Sequence, residues 1–137
     1  MSKRLVGAVF TLIAVTLVLV VAGLRADEFT QEDLDRWEVE YMSVVTKGRD
    51  LWVSPDLSSN EVACAQCHPN AANTHPENYP KFQQQLGRVV ALRDMINWCI
   101  ENPLEGDPLA LDDPQLVAME AYIAYERREV PLAPGAH

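Results

Sequence analysis

The pentapeptide Cys64-Ala65-Gln66-Cys67-His68 constrains this chain more than any other feature. A C-x-x-C-H sequence is typical of a site of c-type haem attachment. Both thiols add to the vinyl groups of the porphyrin, and the histidine that follows binds the iron. Redox dithiols and zinc sites also use this cysteine spacing, but the chain has no second cysteine pair and no βαβ pattern around the motif. We therefore predict one haem c, bound covalently by Cys64 and Cys67, with His68 as the proximal iron ligand.

The N-terminal segment is strongly apolar. Lys3 and Arg4 precede a run from Leu5 to Leu24. At about 20 residues, this run is longer than the apolar part of a secretory signal and long enough to span a bilayer. It predicts an uncleaved membrane anchor over residues 1–26, with a cleaved signal segment as the alternative.

Both interpretations place residues 27–137 outside the cytoplasm, because basic residues next to a membrane segment stay on the inner side. We expect this part of the chain to be a cytochrome c domain in the bacterial periplasm. It would be held at the inner membrane by residues 5–24, or secreted into the periplasm if the segment is cleaved.

The exported part is acidic. All 20 acidic residues and eight of the 11 basic residues lie at or after Asp27, which gives this part a formal charge near −12. Such a charge argues against binding to nucleic acid or to anionic lipid. It suits docking to a basic patch on a redox protein or within a multi-subunit complex, although solubility explains an acidic surface equally well.

Apolar residues recur at helical spacing in three stretches. The first predicts a helix over residues 31–53, with Thr30 as its N-cap and its end before Pro55. The second predicts a helix over residues 92–101. The third predicts a helix that starts at Asp113-Pro114 as N-cap and first helical residue, and that ends near residues 128–129.

The segment between the haem motif and the second helix lacks a helical periodicity of apolar residues. Prolines and asparagines predict an irregular loop over residues 69–80, and residues 82–85 are expected to form a helical turn that is broken near Gly87. No stretch predicts a strand. The fold class is therefore all-α, with three to four helices around a covalent haem as in a small class I-like cytochrome c, plus the N-terminal membrane or signal helix. The resemblance to that fold, in which the first and last helices cross, implies a contact of Gly48 with Tyr122 or Tyr125.

The second axial ligand of the iron is less constrained than the first. Cys99 remains after the two haem cysteines are assigned, and a leftover cysteine in an exported protein indicates an intermolecular bridge, a reactive thiol or a ligand. A buried apolar role is the alternative, because free cysteines are often buried. Three further candidates for the distal ligand are His75, Met95 and Met119, since methionine and histidine both bind haem iron.

The stretch around Cys99 resembles a known family. Gly87-Arg88-Val89-Val90 and the run from Leu92 to Gly106, with its Ile-Asn-Trp-Cys segment, look like the haem domains of thiosulfate dehydrogenases and SoxA-type sulfur-oxidation cytochromes. The likeness covers roughly residues 48–126. It implies that Cys99 is the distal ligand. Family enzymes usually carry two haems or work with a haem-containing partner, whereas this chain has one motif.

Two functions follow as expectations. The first is a membrane-anchored periplasmic cytochrome that relays electrons between a redox enzyme and a respiratory or photosynthetic chain, without catalysis of its own. The alternative is the haem subunit of an enzyme that oxidises a sulfur compound such as thiosulfate. In that case Arg88 and Arg93 are the nearest candidates to bind the anion, unless they pair with Asp94 or with a haem propionate. A haem sensor or a structural subunit is a third hypothesis.

Overall fold

The computed structural model describes residues 29–136. The chain divides into two units, Met1–Arg36 and Trp37–His137, and the core and cavity described below lie in the second. The segment 1–26 lies outside the described residues, so its interpretation as an anchor or signal stays a prediction. Between residues 29 and 136, no helix combines the length and apolarity that a membrane crossing needs.

Four helices and one small hairpin make up the described part of the chain. They are α1 (Gln31–Val53), α2 (Cys64–Cys67), β1 (Lys81–Gln83), β2 (Arg88–Val90), α3 (Leu92–Glu101) and α4 (Pro114–Glu126), with 3-10 turns at Pro69–Ala71 and Pro76–Asn78. The mostly helical architecture is confirmed, and so are the predicted bounds of α1 and α3.

Side-chain caps explain where two helices start. The Thr30 hydroxyl accepts from the Asp33 N–H at 3.1 Å and the Asp33 carboxylate accepts from the Thr30 N–H at 3.2 Å, a reciprocal pair that satisfies two free donors. The Asp113 carboxylate accepts from the Gln115 N–H at 2.8 Å and begins α4. At the other end, α4 stops at Glu126, earlier than predicted.

The prediction of a helical turn over residues 82–85 and of no strand is wrong. Residues 81–83 and 88–90 form an antiparallel hairpin in which Lys81 faces Val90 and Phe82 faces Val89. Gly87 has a φ of +65°, which lets the four-residue loop turn back on itself. Strands of three residues are too short to show a clear alternation of apolar and polar residues, so the periodicity of the sequence does not predict the pairing.

The core lies where α1, α3 and α4 meet. The buried side chains that these three helices contribute include Val45, Trp52, Ile96, Ile100, Leu116, Met119, Tyr122 and Ile123. The predicted contact of Gly48 with Tyr122 is confirmed, since a β-carbon on Gly48 would lie 2.8 Å from the Tyr122 Cβ and only 1.9 Å from the Ala118 carbonyl oxygen. Helices α1 and α4 therefore approach each other backbone to backbone at this glycine.

Candidate haem site

A cavity of about 390 Å³ opens beside the Cys64–His68 motif. Its walls come from the C-terminal end of α1, the motif, the hairpin, α3 and α4. Six residues singled out in the sequence line it: Cys64, Cys67, His68, Met95, Cys99 and Met119. Segments from across the sequence are thus brought together around one space, with both motif cysteines and the candidate distal residues Cys99, Met95 and Met119 on its wall.

His68 is held by both its ring and its backbone. The ring Nδ1 lies 2.9 Å from the Ala72 carbonyl oxygen, and because a carbonyl can only accept, Nδ1 carries the proton and donates. The Trp52 indole N–H donates to the His68 carbonyl at 2.8 Å. This arrangement leaves the lone pair of Nε2 for a metal, which is the usual way that a second hydrogen bond orients a histidine ligand.

The tight turn after His68 makes this hydrogen bond possible. Asn70 and Ala71 both have left-handed backbones, with φ of 50° and 55°. Asparagine tolerates this conformation, whereas alanine adopts it at a cost. Ala71 is fully buried in the core, so packing holds the turn in place. The turn brings the Ala72 carbonyl oxygen within hydrogen-bond distance of Nδ1 of the His68 imidazole.

Three free sulfurs surround the cavity. Cys64 and Cys67 lie three residues apart in α2, which places them on one side of the helix. Burial, and then the neighbouring Cys99, raise the pKa of the Cys64 thiol to about 11. Burial, and then Cys67, raise the pKa of Cys99 as well. Two thiols and the following imidazole, all on the wall of one cavity, fit the covalent attachment of haem.

The candidate distal ligands differ in position. Cys99 and Met95 lie one turn apart on α3 and both line the cavity, as their shared face predicts, and Met119 reaches it from α4. His75 is not among the lining residues. Its Nδ1 lies 2.9 Å from the Glu77 carboxylate instead.

Glu77 is buried in a small polar cluster beside this loop. Burial by itself raises the pKa of the carboxyl, but the hydrogen bond from His75 and the charge of Arg127, 3.7 Å away, outweigh it. The pKa of Glu77 consequently lies below its ordinary value. His75 therefore pairs with Glu77 and does not line the cavity.

Arg88 and Arg93, the arginines considered for anion binding, are both paired with carboxylates. Arg88 lies 3.1 Å from Asp94, as the salt-bridge alternative predicted. Arg93 donates two hydrogen bonds to Glu120, at 3.1 and 2.7 Å, and so ties α3 to α4. Neither arginine lines the cavity.

Asn97, the asparagine of the Ile-Asn-Trp-Cys segment, connects α3 to the loop that follows it. Its side-chain N–H donates to the Leu109 carbonyl at 2.8 Å, and its carbonyl accepts from the Leu109 N–H at 3.0 Å. Asn97 thereby pairs with the backbone of the loop between α3 and α4 as a strand neighbour would. This pairing fixes α3, and with it the position of Cys99.

Sequence reasoning missed the residues that the hairpin brings to the cavity. Lys81, Gln83 and Gln85 line it, and so does Tyr79. A signal was present in Gly87 followed by Val89 and Val90, because β-branched residues next to a turn glycine favour a hairpin.

A family model described as the SoxA/TsdA cytochrome c domain matches residues 47–132. The chain belongs to this family. Its members are cytochrome c domains, a class that binds haem c covalently, and the matched range contains the attachment motif together with Cys99. The resemblance stated from the sequence is confirmed.

Individual relatives agree with the family. The chain is 34% identical over 90 residues to a thiosulfate dehydrogenase of Allochromatium vinosum, covering 57% of this chain and 33% of that protein. It is 28% identical over 112 residues to the L-cysteine S-thiosulfotransferase subunit SoxA of Rhodovulum sulfidophilum, covering 80% of this chain and 39% of that protein. The chain thus spans about a third of the length of these relatives.

A solved structure shows the same fold. The crystal structure of SoxXA from P. pantotrophus superposes with a TM-score of 0.61 at 19% identity, over 70% of this chain and 37% of that chain. At this identity the likeness establishes a cytochrome c-like fold. The family, and not this structural likeness, favours the sulfur-oxidation alternative over the respiratory or photosynthetic relay.

Proposed function

We propose that this chain is the haem-bearing domain of a system that oxidises a sulfur compound of the thiosulfate type. One haem c would be bound through Cys64 and Cys67, with His68 and Cys99 as the axial ligands of its iron. The observation that carries the proposal is the presence of Cys99 on the wall of the same cavity as His68, in a chain of the SoxA/TsdA family.

Several residues around the cavity have a defined role in this proposal. The Ala72 carbonyl and the Trp52 indole hold His68 in one tautomer and one orientation. Asn97 holds the helix that carries Cys99. The apolar side chains of Ile96, Met119 and Ile123 line the cavity and exclude water from it. The haem, when bound, supplies the one-electron acceptor.

Cysteine as distal ligand has a consequence for the redox potential. Methionine ligation raises the potential of a c-type haem, whereas an anionic thiolate donates charge and stabilises ferric iron. A His/Cys pair therefore suits a low-potential centre at a site of sulfur chemistry better than a carrier that accepts electrons from a high-potential pool. We infer that a redox protein or a further haem subunit removes the electrons, since the relatives are about three times as long as the matched region.

Ligation is tested on the purified, haem-loaded protein by ferric absorption and electron paramagnetic resonance spectra. Cys99→Ala should remove the low-spin signature of the wild type, and Cys99→Met should raise the reduction potential. Met95→Leu, one turn away on the same wall, is the matched control and should leave the spectrum unchanged. An unchanged low-spin spectrum in Cys99→Ala would remove Cys99 from the axial position.

Activity is tested separately with thiosulfate and a one-electron acceptor such as ferricyanide. Reduction of the acceptor that depends on thiosulfate, and that is lost in Cys99→Ala, supports a catalytic haem domain. Reduction of the haem by a partner protein with no turnover of any sulfur compound would instead indicate an electron relay.

A further inference from the structure

Lys81 is the one charged side chain on the cavity wall within residues 29–136. No aspartate, glutamate or arginine of the described residues lines the cavity. This is unusual in a domain with a formal charge near −12. A wall with one ammonium group and no carboxylate selects for anions, because an anion meets attraction there without repulsion at close range.

The hairpin points Lys81 inwards. Directly opposed residues of an antiparallel pair lie on the same face, and the partner of Lys81 is Val90, which is buried. The next pair, Phe82 and Val89, lies on the other face and is largely exposed. Lys81 therefore sits on the inner face of a short strand, and the residue as a whole is half-buried.

No carboxylate neutralises Lys81 among the residues that the structure describes. Its ammonium lies 5.1 Å from the centre of the Tyr79 ring, a cation–π contact that leaves its hydrogen-bond donors available. Arg88 and Arg93, by contrast, already have carboxylate partners. Lys81 is half-buried, and its charge would gain a partner if an anion bound in the cavity.

Two neutral donors, Gln83 and Gln85, line the same cavity as this lysine. Gln83 follows Lys81 by two residues on the same face, and its amide donates to the Tyr79 hydroxyl at 2.6 Å. Gln85 reaches the wall from the hairpin loop. We propose that Lys81, with Gln83 and Gln85 on the same wall, is the anion-binding subsite of this cavity and takes an oxyanion.

Two oxyanions have the required chemistry: a small sulfur oxyanion such as thiosulfate, and a carboxylate of the haem itself. The first assignment rests on the proposed function and makes Lys81 a determinant of substrate specificity. The second does not depend on that function and makes Lys81 a positioning residue for the haem. The experiment separates them.

The test uses haem-loaded wild type, Lys81→Gln and Lys81→Arg, with Lys47→Gln as control for a lysine that is exposed on α1 and absent from the cavity wall. Two quantities are measured in each protein: the Kd for thiosulfate by spectral titration of the ferric form, and the reduction potential in the absence of thiosulfate. Haem content reports whether each variant has folded and attached its cofactor.

If the oxyanion is the substrate, Lys81→Gln should raise the thiosulfate Kd about 10- to 100-fold, the range for the loss of a charged hydrogen bond, and Lys81→Arg should restore most of the affinity. If it is a haem carboxylate, Lys81→Gln should lower the reduction potential without changing that Kd, because ferric iron gains stability when a nearby positive charge is lost. Lys47→Gln should change neither quantity.

If Lys81→Gln and Lys47→Gln have the same Kd for thiosulfate and the same reduction potential, the proposal of an anion-binding subsite at Lys81 is wrong. A wild-type protein that neither binds nor oxidises thiosulfate would count against the proposed function, and in that case the potential still decides whether Lys81 serves the haem.

Discussion

Gly48→Ala tests the close crossing of α1 and α4. An added β-carbon would lie 1.9 Å from the carbonyl oxygen and 2.6 Å from the carbonyl carbon of Ala118, and 2.8 Å from the Cβ of Tyr122. The atoms it meets are backbone atoms and a β-carbon, which no change of rotamer can move. The two helices would have to separate by about 1 Å to bring the closest distance to 3.0 Å.

The size of the effect follows from two opposing contributions. Overpacking in a dense core costs about 1–3 kcal/mol, and a rigid contact between backbones belongs at the upper end. Alanine recovers about 1 kcal/mol of helix propensity relative to glycine. We therefore expect a net destabilisation of about 2 kcal/mol, or a decrease of about 1 M in the urea midpoint at an m-value of about 2 kcal/mol/M.

The measurement is urea unfolding of the haem-loaded protein, followed by far-UV circular dichroism. Lys47→Ala is the matched control, since it adds alanine to the exposed face of the same helix one residue away and should change stability by less than about 0.5 kcal/mol. If Gly48→Ala is as stable as the wild type or more so, helix propensity has outweighed sterics, and the backbone contact does not exist as described.

Three further substitutions test other contacts. Trp52→Phe keeps an apolar ring but removes the donor to the His68 carbonyl, so a loss of about 1–3 kcal/mol is expected in urea unfolding, and an unchanged midpoint would contradict this. Asp113→Ala removes the cap of α4 and should cost about 1 kcal/mol, whereas the exposed neighbour Asp112→Ala should have little effect. The pKa of Glu77 is lower in the folded protein than in the unfolded chain, so its ionised carboxylate stabilises the fold. This contribution is fully present above the pKa of an unfolded glutamate, about 4.3, and is lost as the pH falls through the folded pKa. Glu77→Gln should accordingly be less stable near neutral pH and should lose less stability on acidification; parallel acid curves for the two proteins would refute the depressed pKa.

The long helices could be predicted from the sequence because their signals are local. The bounds of α1 and α3 agree with the periodicity of apolar residues and with their flanking breakers. The Asp113-Pro114 start of α4 is confirmed as well. Its end was placed too late, because the chain tightens at Tyr125, whose carbonyl accepts from the Arg128 N–H three residues on.

The hairpin and the charge of the cavity could not be predicted in the same way. Strand pairing joins residues through hydrogen bonds across a turn, and two strands of three residues leave little pattern in the sequence. Without the hairpin, nothing in the sequence distinguishes Lys81 from the other basic residues, whereas Arg88 and Arg93 lie close to Cys99 along the chain. Only the packing of α3 against α4 shows that Glu120 lies within reach of Arg93.

The sequence by itself determined the chemistry that this protein can carry, since the spacing of Cys64, Cys67 and His68 depends on a single turn of backbone. It also indicated Cys99 and the family. The tertiary structure decided which residues share the cavity, placing Cys99, Met95 and Met119 on its wall and His75 beside Glu77. It decided the inward direction of Lys81 as well. The physical reason is that helices and attachment motifs form between near neighbours in the chain, whereas a cavity and its charge arise from contacts between segments far apart in sequence.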